Sequence, residues 1–245
     1  MNIIEIEHLK RTFIVGGEQV HALRDINFTI AAGEFVSIMG TSGSGKSTLL
    51  NILGCLDTPT DGTYIIDGTP VRNLSRNQLA TLRNSKIGFV FQNYNLLPRT
   101  SAIENVEMPL LYNSRYDAKE RRSRAIEALE LVGLAQRLNH TSAQLSGGQQ
   151  QRVAIARALV TDPVIILADE ATGNLDTRTS YEIMSLFQDL HNQGKTIAFV
   201  THEPDIAAFT TRTIKLRDGM VVEDHSVTPG DARQALLNLP PAIDN

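Results

Sequence analysis

The sequence predicts an α/β protein with a mostly parallel central sheet, an N-terminal antiparallel β subdomain and a helical subdomain. Three observations predict it. Four short runs, Phe35–Met39, Lys86–Phe91, Val164–Ala168 and Thr196–Val200, do not alternate with polar residues, as expected of parallel strands covered on both faces. Helical patterns separate these runs, the alternation that winds a sheet between helices. Nearer the N-terminus the pattern changes: Ile26, Phe28 and Ile30 fall on one face with Asn27 and Thr29 on the other, the mark of a half-buried antiparallel strand.

In chain order, Ile3–His8 reads as a further strand of the N-terminal subdomain, and Tyr64–Asp67 as another, bounded by Gly62 and Gly68. From about Leu97 to Thr161 no comparable run occurs. That stretch, including the charged amphipathic segment Asp117–Val132, predicts a helical insert over 97–161 between two central strands. Its basic residues Lys119, Arg121, Arg122 and Arg124 read as a solvated helix face paired with Glu120 and Glu127, in preference to a contact with anionic lipid or a membrane partner. The main domain is expected over 1–223, and 224–245, with Pro229, Pro240 and Pro241, as a weakly ordered appendage.

A chain of 245 residues with 42% hydrophobic content suits one large domain carrying an insert. A net charge of -4 supplies no global positive field, which argues against a nucleic-acid partner and requires any phosphate to be held by a local device. The single cysteine, Cys55, makes no internal disulfide and is expected to be a small buried residue, and the start MNIIEIEHLK lacks the basic flank and apolar core of a signal peptide. The expected compartment is the cytosol. No stretch reaches the roughly 20 apolar residues that span a bilayer, so any membrane involvement is expected through another polypeptide.

Gly40-Thr41-Ser42-Gly43-Ser44-Gly45-Lys46-Ser47 fits the phosphate-loop pattern in the context that pattern requires, after an apolar strand and at the start of a helix carrying Leu49, Leu50, Ile52 and Leu53. Glycines let backbone N–H groups converge on phosphate, and the helix N-terminus favours the anion. Lys46 is expected at the β- and γ-phosphates of ATP and Ser47 on Mg²⁺, with Gly40, Ser42, Gly43, Ser44, Gly45 and Thr48 completing the ATP-binding set. These parts predict a P-loop NTPase core.

The run Val164–Ala168 ends in Asp169-Glu170, where an open α/β sheet places its ligand crevice. Asp169 suits Mg²⁺ and Glu170 suits polarising a water that attacks the γ-phosphate. A helix N-cap pair is the competing reading. Gln92 and His202 end two other central strands and read with them as a γ-phosphate sensor and a Mg²⁺ or water ligand. Leu145-Ser146-Gly147-Gly148-Gln149-Gln150-Gln151-Arg152 opens a further helix and forms a second anion nest, made of the Ser146 hydroxyl, two glycine N–H groups and a helix dipole.

LSGGQQQR resembles the signature motif of ABC ATPases, and the phosphate loop, Gln92, Asp169-Glu170, Asn174-Leu175-Asp176 and His202 stand in that family's order over about Met1 to Glu223. The resemblance implies ATP hydrolysis with Lys46, Glu170 and His202 catalytic, Mg²⁺ on Ser47, Gln92 and Asp169, and Phe13 in the place of an aromatic that stacks on adenine. It implies a homodimer in which Ser146 and Gly148, within the signature Leu145–Gln149, meet the γ-phosphate held by the other protomer's Lys46. Asn174, Leu175 and Asp176 then belong to a loop crossing the dimer interface. Gln92 matches a loop that touches an integral-membrane permease subunit, which implies a peripheral protein at the cytoplasmic face of the cell membrane.

Ile52–Asp57, Phe89–Gln92 with Asn95–Pro98, and Ala168–Asp176 resemble the bacterial lipoprotein-release, macrolide-export and cell-division ATPases, many of which transmit force to a permease. Thr41 and Ala171 depart from that group, which usually has Pro at both. The implied function is to power a separate permease, in export or mechanotransmission. The alternative is a cell-division-type regulatory ATPase without a transported substrate. Ribosomal and DNA-repair relatives are set aside, since this chain has neither two cassettes nor a long coiled-coil insertion.

Overall fold

The structure is a computed structural model that describes residues 1–113 and 115–240. It opens with two long strands, β1 (Asn2–Val15) and β2 (Glu18–Ala31), paired antiparallel through a Gly16-Gly17 turn in which both residues have positive φ. They extend well beyond Ile3–His8 and Ile26–Ile30, because their outer halves are solvent-exposed and carry no burial pattern to read. With β4 (Asp61–Ile66) and the short β5 (Thr69–Pro70) they form a sheet in the order β2-β1-β4-β5.

The second sheet contains β3 (Phe35–Gly40), β6 (Ile87–Phe91), β7 (Ile165–Asp169), β8 (Ile197–Thr201), β9 (Arg212–Arg217) and β10 (Met220–Ser226). Its order is β10-β9-β3-β8-β7-β6, parallel throughout except for the antiparallel edge pair β9–β10. Successive side chains of one strand serve opposite cores. Ile165 and Leu167 pack with the N-terminal sheet, α1 (Lys46–Leu53) and α2 (Arg76–Lys86), while Ile166 and Ala168 pack with the helices on the other face. Burial on both faces is why these runs lack polar alternation.

The other face is covered by α3 (Ala102–Leu111), α4 (Ala118–Leu131), α5 (Gly147–Leu159) and α6 (Thr177–Asn192). Capping boxes start three of them: Ser101 with Glu104, Asp117 with Glu120, and Ser146 with Gln149. Each supplies two orphan backbone N–H groups with acceptors. The three arginines of α4 are satisfied locally, though not by the carboxylates expected from sequence. Arg122 reaches Glu107 at 3.4 Å, Arg121 donates to the Tyr116 carbonyl, and Arg124 lies over the Tyr116 ring, while Glu120 is used in the cap.

After the short α7 (Pro204–Ala207), the C-terminal segment departs from the weakly ordered appendage that its prolines suggest. Strand β10 continues to Ser226, and α8 (Ala232–Leu237) packs on α6 with Ala232 fully buried. Gln188 of α6 donates to the Phe209 and Gly230 carbonyls and accepts from the Ala232 N–H, and Arg233 pairs with Asp189 at 2.9 Å. The anchoring partners lie about forty residues upstream, where local composition says nothing of them. Residues 241–245, Pro241 among them, lie outside the described residues. No helix among the described residues is long and apolar enough to cross a membrane.

Candidate active site

Because β3, β8, β7 and β6 are parallel neighbours, their C-terminal ends meet at one edge of the sheet. A cleft of about 940 Å³ opens there. Its walls include Gly40, Thr41, Ser42, Gly43, Gly45, Lys46, Ser47 and Thr48 from the end of β3 through the first turn of α1, Gln92 after β6, Asp169 and Glu170 at the end of β7, and His202 after β8. The sheet thus gathers four segments that are far apart in sequence.

The loop after β3 requires glycine for space. A Cβ on Gly45, whose φ is 102°, would stand 2.7 Å from the Ala22 carbonyl oxygen and 2.9 Å from the Leu23 side chain. Lys46 is nearly buried and folds back over the loop, its Nζ donating to the Gly40 and Thr41 carbonyls at 2.7 and 2.9 Å. The Ser44 hydroxyl is buried with no hydrogen-bond partner among the described residues. Two carbonyls satisfy only part of an ammonium's donor capacity, leaving a positive charge at the floor of the cleft that suits an anion.

Asp169 closes β7, paired with Phe91 and Val200. Burial and the adjacent Glu170 carboxylate raise its pKa, while Lys46 draws it down. Glu170 takes a left-handed backbone, φ 45°, with its N–H on the Val200 carbonyl. Its Oε1 lies 2.9 Å from Nδ1 of His202. The N-cap reading of the Asp169-Glu170 pair is excluded, since the next helix, α6, is capped by Asp176. Two adjacent carboxylates in a partly buried cleft favour a neighbouring cation. The Ser47 hydroxyl, the Gln92 amide oxygen and the Asp169 carboxylate, all on the walls, form an oxygen donor set that fits a hard cation such as Mg²⁺.

Asn174 stitches the loop after Glu170 to the end of β6. Its Nδ2 donates to the Gln92 carbonyl at 3.1 Å and to Oδ1 of Asn93 at 2.8 Å, and its Oδ1 accepts from Nε2 of Gln92 at 3.4 Å. Leu175 packs partly against the core beside α6. Asp176 caps α6, accepting from the Thr179 N–H at 3.0 Å and from its hydroxyl at 2.6 Å, bonds that lower its pKa.

The signature residues stand apart from these walls, for none of Leu145 to Gln149 lines the cleft of its own chain. Ser146 is exposed at the start of α5, its hydroxyl accepting from the Gln149 N–H at 3.3 Å, and Leu145 is buried beneath it. Gly148 has no room for a side chain, and Gly147 has little. A Cβ on Gly147 would stand 2.9 Å from the Tyr94 hydroxyl, and one on Gly148 2.5 Å from the Thr179 methyl.

Phe13 does not line the cleft. It pairs across the hairpin with Val20, which does, and the Arg11 guanidinium lies 4.4 Å above its ring. Cross-strand partners share a face, so Phe13 belongs to the side of the hairpin turned toward the cleft. Sequence reasoning missed Val20, His21, Ala22, Met39, Val200 and Lys215 as wall residues. No local signal marks the first three, because they reach the cleft only through pairing of the hairpin with the β9–β10 turn, where the Arg24 N–H donates to the Gly219 carbonyl at 2.9 Å.

A profile of the ABC transporter family matches residues 23–173. The uncharacterized ABC transporter ATP-binding protein YvrO of Bacillus subtilis (strain 168) is 53% identical over 222 residues, which are 91% of this chain and 96% of that protein. The macrolide export ATP-binding/permease protein MacB of Chlorobaculum tepidum is 53% identical over 91% of this chain, which matches 34% of that longer protein. Among solved structures, the ATP-binding cassette MJ0796, captured as a dimer in a post-hydrolysis state bound to ADP and Pi, superposes with a TM-score of 0.83 at 47% identity, over 93% of this chain and all of that one. With its phosphate loop, carboxylate pair and signature helix in the fold these relatives share, the chain belongs to the ABC transporter family, as an ATP-binding cassette with ATPase activity.

Proposed function

We propose that the chain drives an export-type or force-transmitting transporter as a homodimer, with ATP and Mg²⁺ held between protomers at the cytoplasmic face of the cell membrane, beside a separate permease. The observation that carries this reading is the division of phosphate-binding devices on one chain. Lys46, Ser47, Asp169, Glu170, Gln92 and His202 surround one cleft, while the second nest at Ser146 lies outside it and exposed. A head-to-tail pair would bring the Ser146 nest of one protomer to the cleft of the other. The dimer of MJ0796 supports this arrangement, and the macrolide-export name carried by MacB supports the direction.

In this reading Lys46 exchanges its two carbonyl partners for phosphate oxygens, and the backbone N–H groups of 40–48 cradle the rest. Ser47, Asp169 and Gln92 would hold Mg²⁺, which would supply positive charge to the phosphates. Glu170 accepts a hydrogen bond from the attacking water, and His202, already within 2.9 Å of it, fixes the carboxylate and that water. Water oxygen bonds to the γ-phosphorus as the bond to the β-γ bridging oxygen breaks, giving ADP and phosphate. Phe13 stacks on adenine at the hairpin edge once Arg11 yields its place. The helical subdomain over 97–161 carries the motion to the permease, and Asn174–Asp176 cross between protomers.

Replacing Glu170 with Gln tests the assignment. ATP turnover should fall by at least about 100-fold while ATP binding persists, and light scattering should detect a dimer that forms on ATP addition. Undiminished hydrolysis by this variant counts decisively against the site.

A further inference from the structure

We infer that Gln151 is a positioning residue for ATP hydrolysis, holding from behind the turn on which Glu170 stands; the inference rests on the role proposed above for Glu170. The three consecutive glutamines of α5 do different things. Gln149 closes the capping box with Ser146, and Gln150 returns its side chain to the Leu145 carbonyl at 3.1 Å. Gln151 points inward. It is fully buried, and its Nε2 donates to the carbonyl of Ala171, the residue after Glu170, at 2.7 Å.

Packing alone does not account for this side chain. Gln151 lies between Ala171 and a core that includes Val153, Ile155 and Ala156, where Met or Leu would fill similar space without desolvating an amide. Its Oε1 has no partner among the described residues, so part of that desolvation is left uncompensated. What the amide supplies is a fixed donor to one backbone carbonyl. The turn needs one. Glu170 has a left-handed backbone that a glutamate does not prefer, and such a conformation persists only where the surroundings impose it. The Val200 carbonyl holds its N–H at 2.9 Å, its own carbonyl accepts from Gly173, and Gln151 fixes the next peptide plane.

Ser146 stands at the first turn of the same helix, so Gln151 joins the signature helix to the turn bearing Glu170.

The test uses Gln151→Met, which keeps length and loses the donor, and Gln151→Asn, which withdraws it by one methylene. In the full chain, both should lower kcat at least about tenfold with KM for ATP changed by no more than about twofold, since misplacing a reacting group costs rate before binding. Both should also melt cooperatively. In a Glu170→Gln background, Gln151→Met should still yield the ATP-dependent dimer, showing the signature turn intact. Turnover within twofold of the parent in both variants overturns the inference, as does a rise in KM that accounts for the loss. Failure of both variants to fold, or loss of the dimer only in the double variant, assigns Gln151 to the fold or the signature turn and equally overturns it. If Glu170→Gln alone hydrolyses ATP at the parental rate, the proposed site itself fails, and that result is distinct from the others.

Discussion

At the scale of single residues, the cleft is walled by side chains that stand at or just beyond the ends of parallel strands. Lys46, Asp169, Glu170, Gln92 and His202 announce themselves because each ends or follows a strand, and parallel strands bring their ends to one edge. The hydrogen bond from Gln151 to Ala171 joins positions twenty apart through packing of α5 on the turn, and nothing in either segment encodes it alone. Cys55 falls on the legible side as a buried small residue, and the structure adds a consequence. Burial pushes its thiol up to about 11 from an ordinary value of 9.0. The unfolded chain therefore ionises first as pH rises, so this group favours the folded state fully below pH 9 relative to alkaline conditions, and its contribution declines between about 9 and 11. At pH 8 a thiol-alkylating reagent should label native protein at least about 100-fold more slowly than protein in denaturant, from the difference in thiolate fraction before access is counted. Equal labelling rates, read by mass spectrometry, would show the thiol to be free.

At the scale of elements, both sheets and the helical insert were foreseen in kind, and the lengths of β1 and β2 were not, because a strand exposed on both faces has no period to detect. The more consequential surprise is a groove between α2, α3 and α5, about 970 Å³, with Phe89, Phe91, Leu56 and Tyr112 on its walls. Three arginines line it, Arg83, Arg115 and Arg157, and no carboxylate does among the described lining residues. Arg157 is committed to the Asn95 and Tyr94 carbonyls at 2.5 and 2.8 Å, and burial lowers its pKa. Arg83 binds the Cys55 carbonyl. A partner helix with an apolar face and a carboxylate would meet the charge that these bonds leave over, and the groove adjoins the end of β6 that carries Gln92. If the permease docks here, Arg115→Glu should reduce its co-purification with the cassette at least about tenfold, through like-charge repulsion at the rim, and leave ATP hydrolysis by the isolated cassette within about twofold. Unchanged co-purification would place the permease elsewhere.

At the scale of the whole molecule, the question is whether the C-terminal segment belongs to the folded unit, since composition alone cannot distinguish a docked tail from a loose one. The docking contacts are of modest strength. Ala232 is buried and Ala235 partly so against the Tyr181 and Phe209 layer, worth about 1–2 kcal/mol of apolar burial. Gln188 makes hydrogen bonds to Gly230 and Ala232, each worth about 1 kcal/mol net. The exposed pair Arg233–Asp189 adds about 0–1 kcal/mol. Ordering the segment costs entropy that offsets much of this sum. A chain ended at Thr228 retains the whole of β10 and the bond from the Val227 N–H to the Thr211 carbonyl, and loses α8, its approach and the residues after it, Pro240 among them. It should lose about 1–3 kcal/mol, lowering Tm by roughly 2–10 °C for a domain of this size. None of the described residues removed lines the cleft, so ATP turnover at 25 °C should stay within about twofold of the full chain. A truncated protein with the parental Tm would mean that α8 rests on α6 without stabilising it. One that melts as expected but loses turnover would mean instead that α8 supports the first turn of α6, where Asp176 caps the helix and Arg178 donates to the Pro240 carbonyl at 2.6 Å.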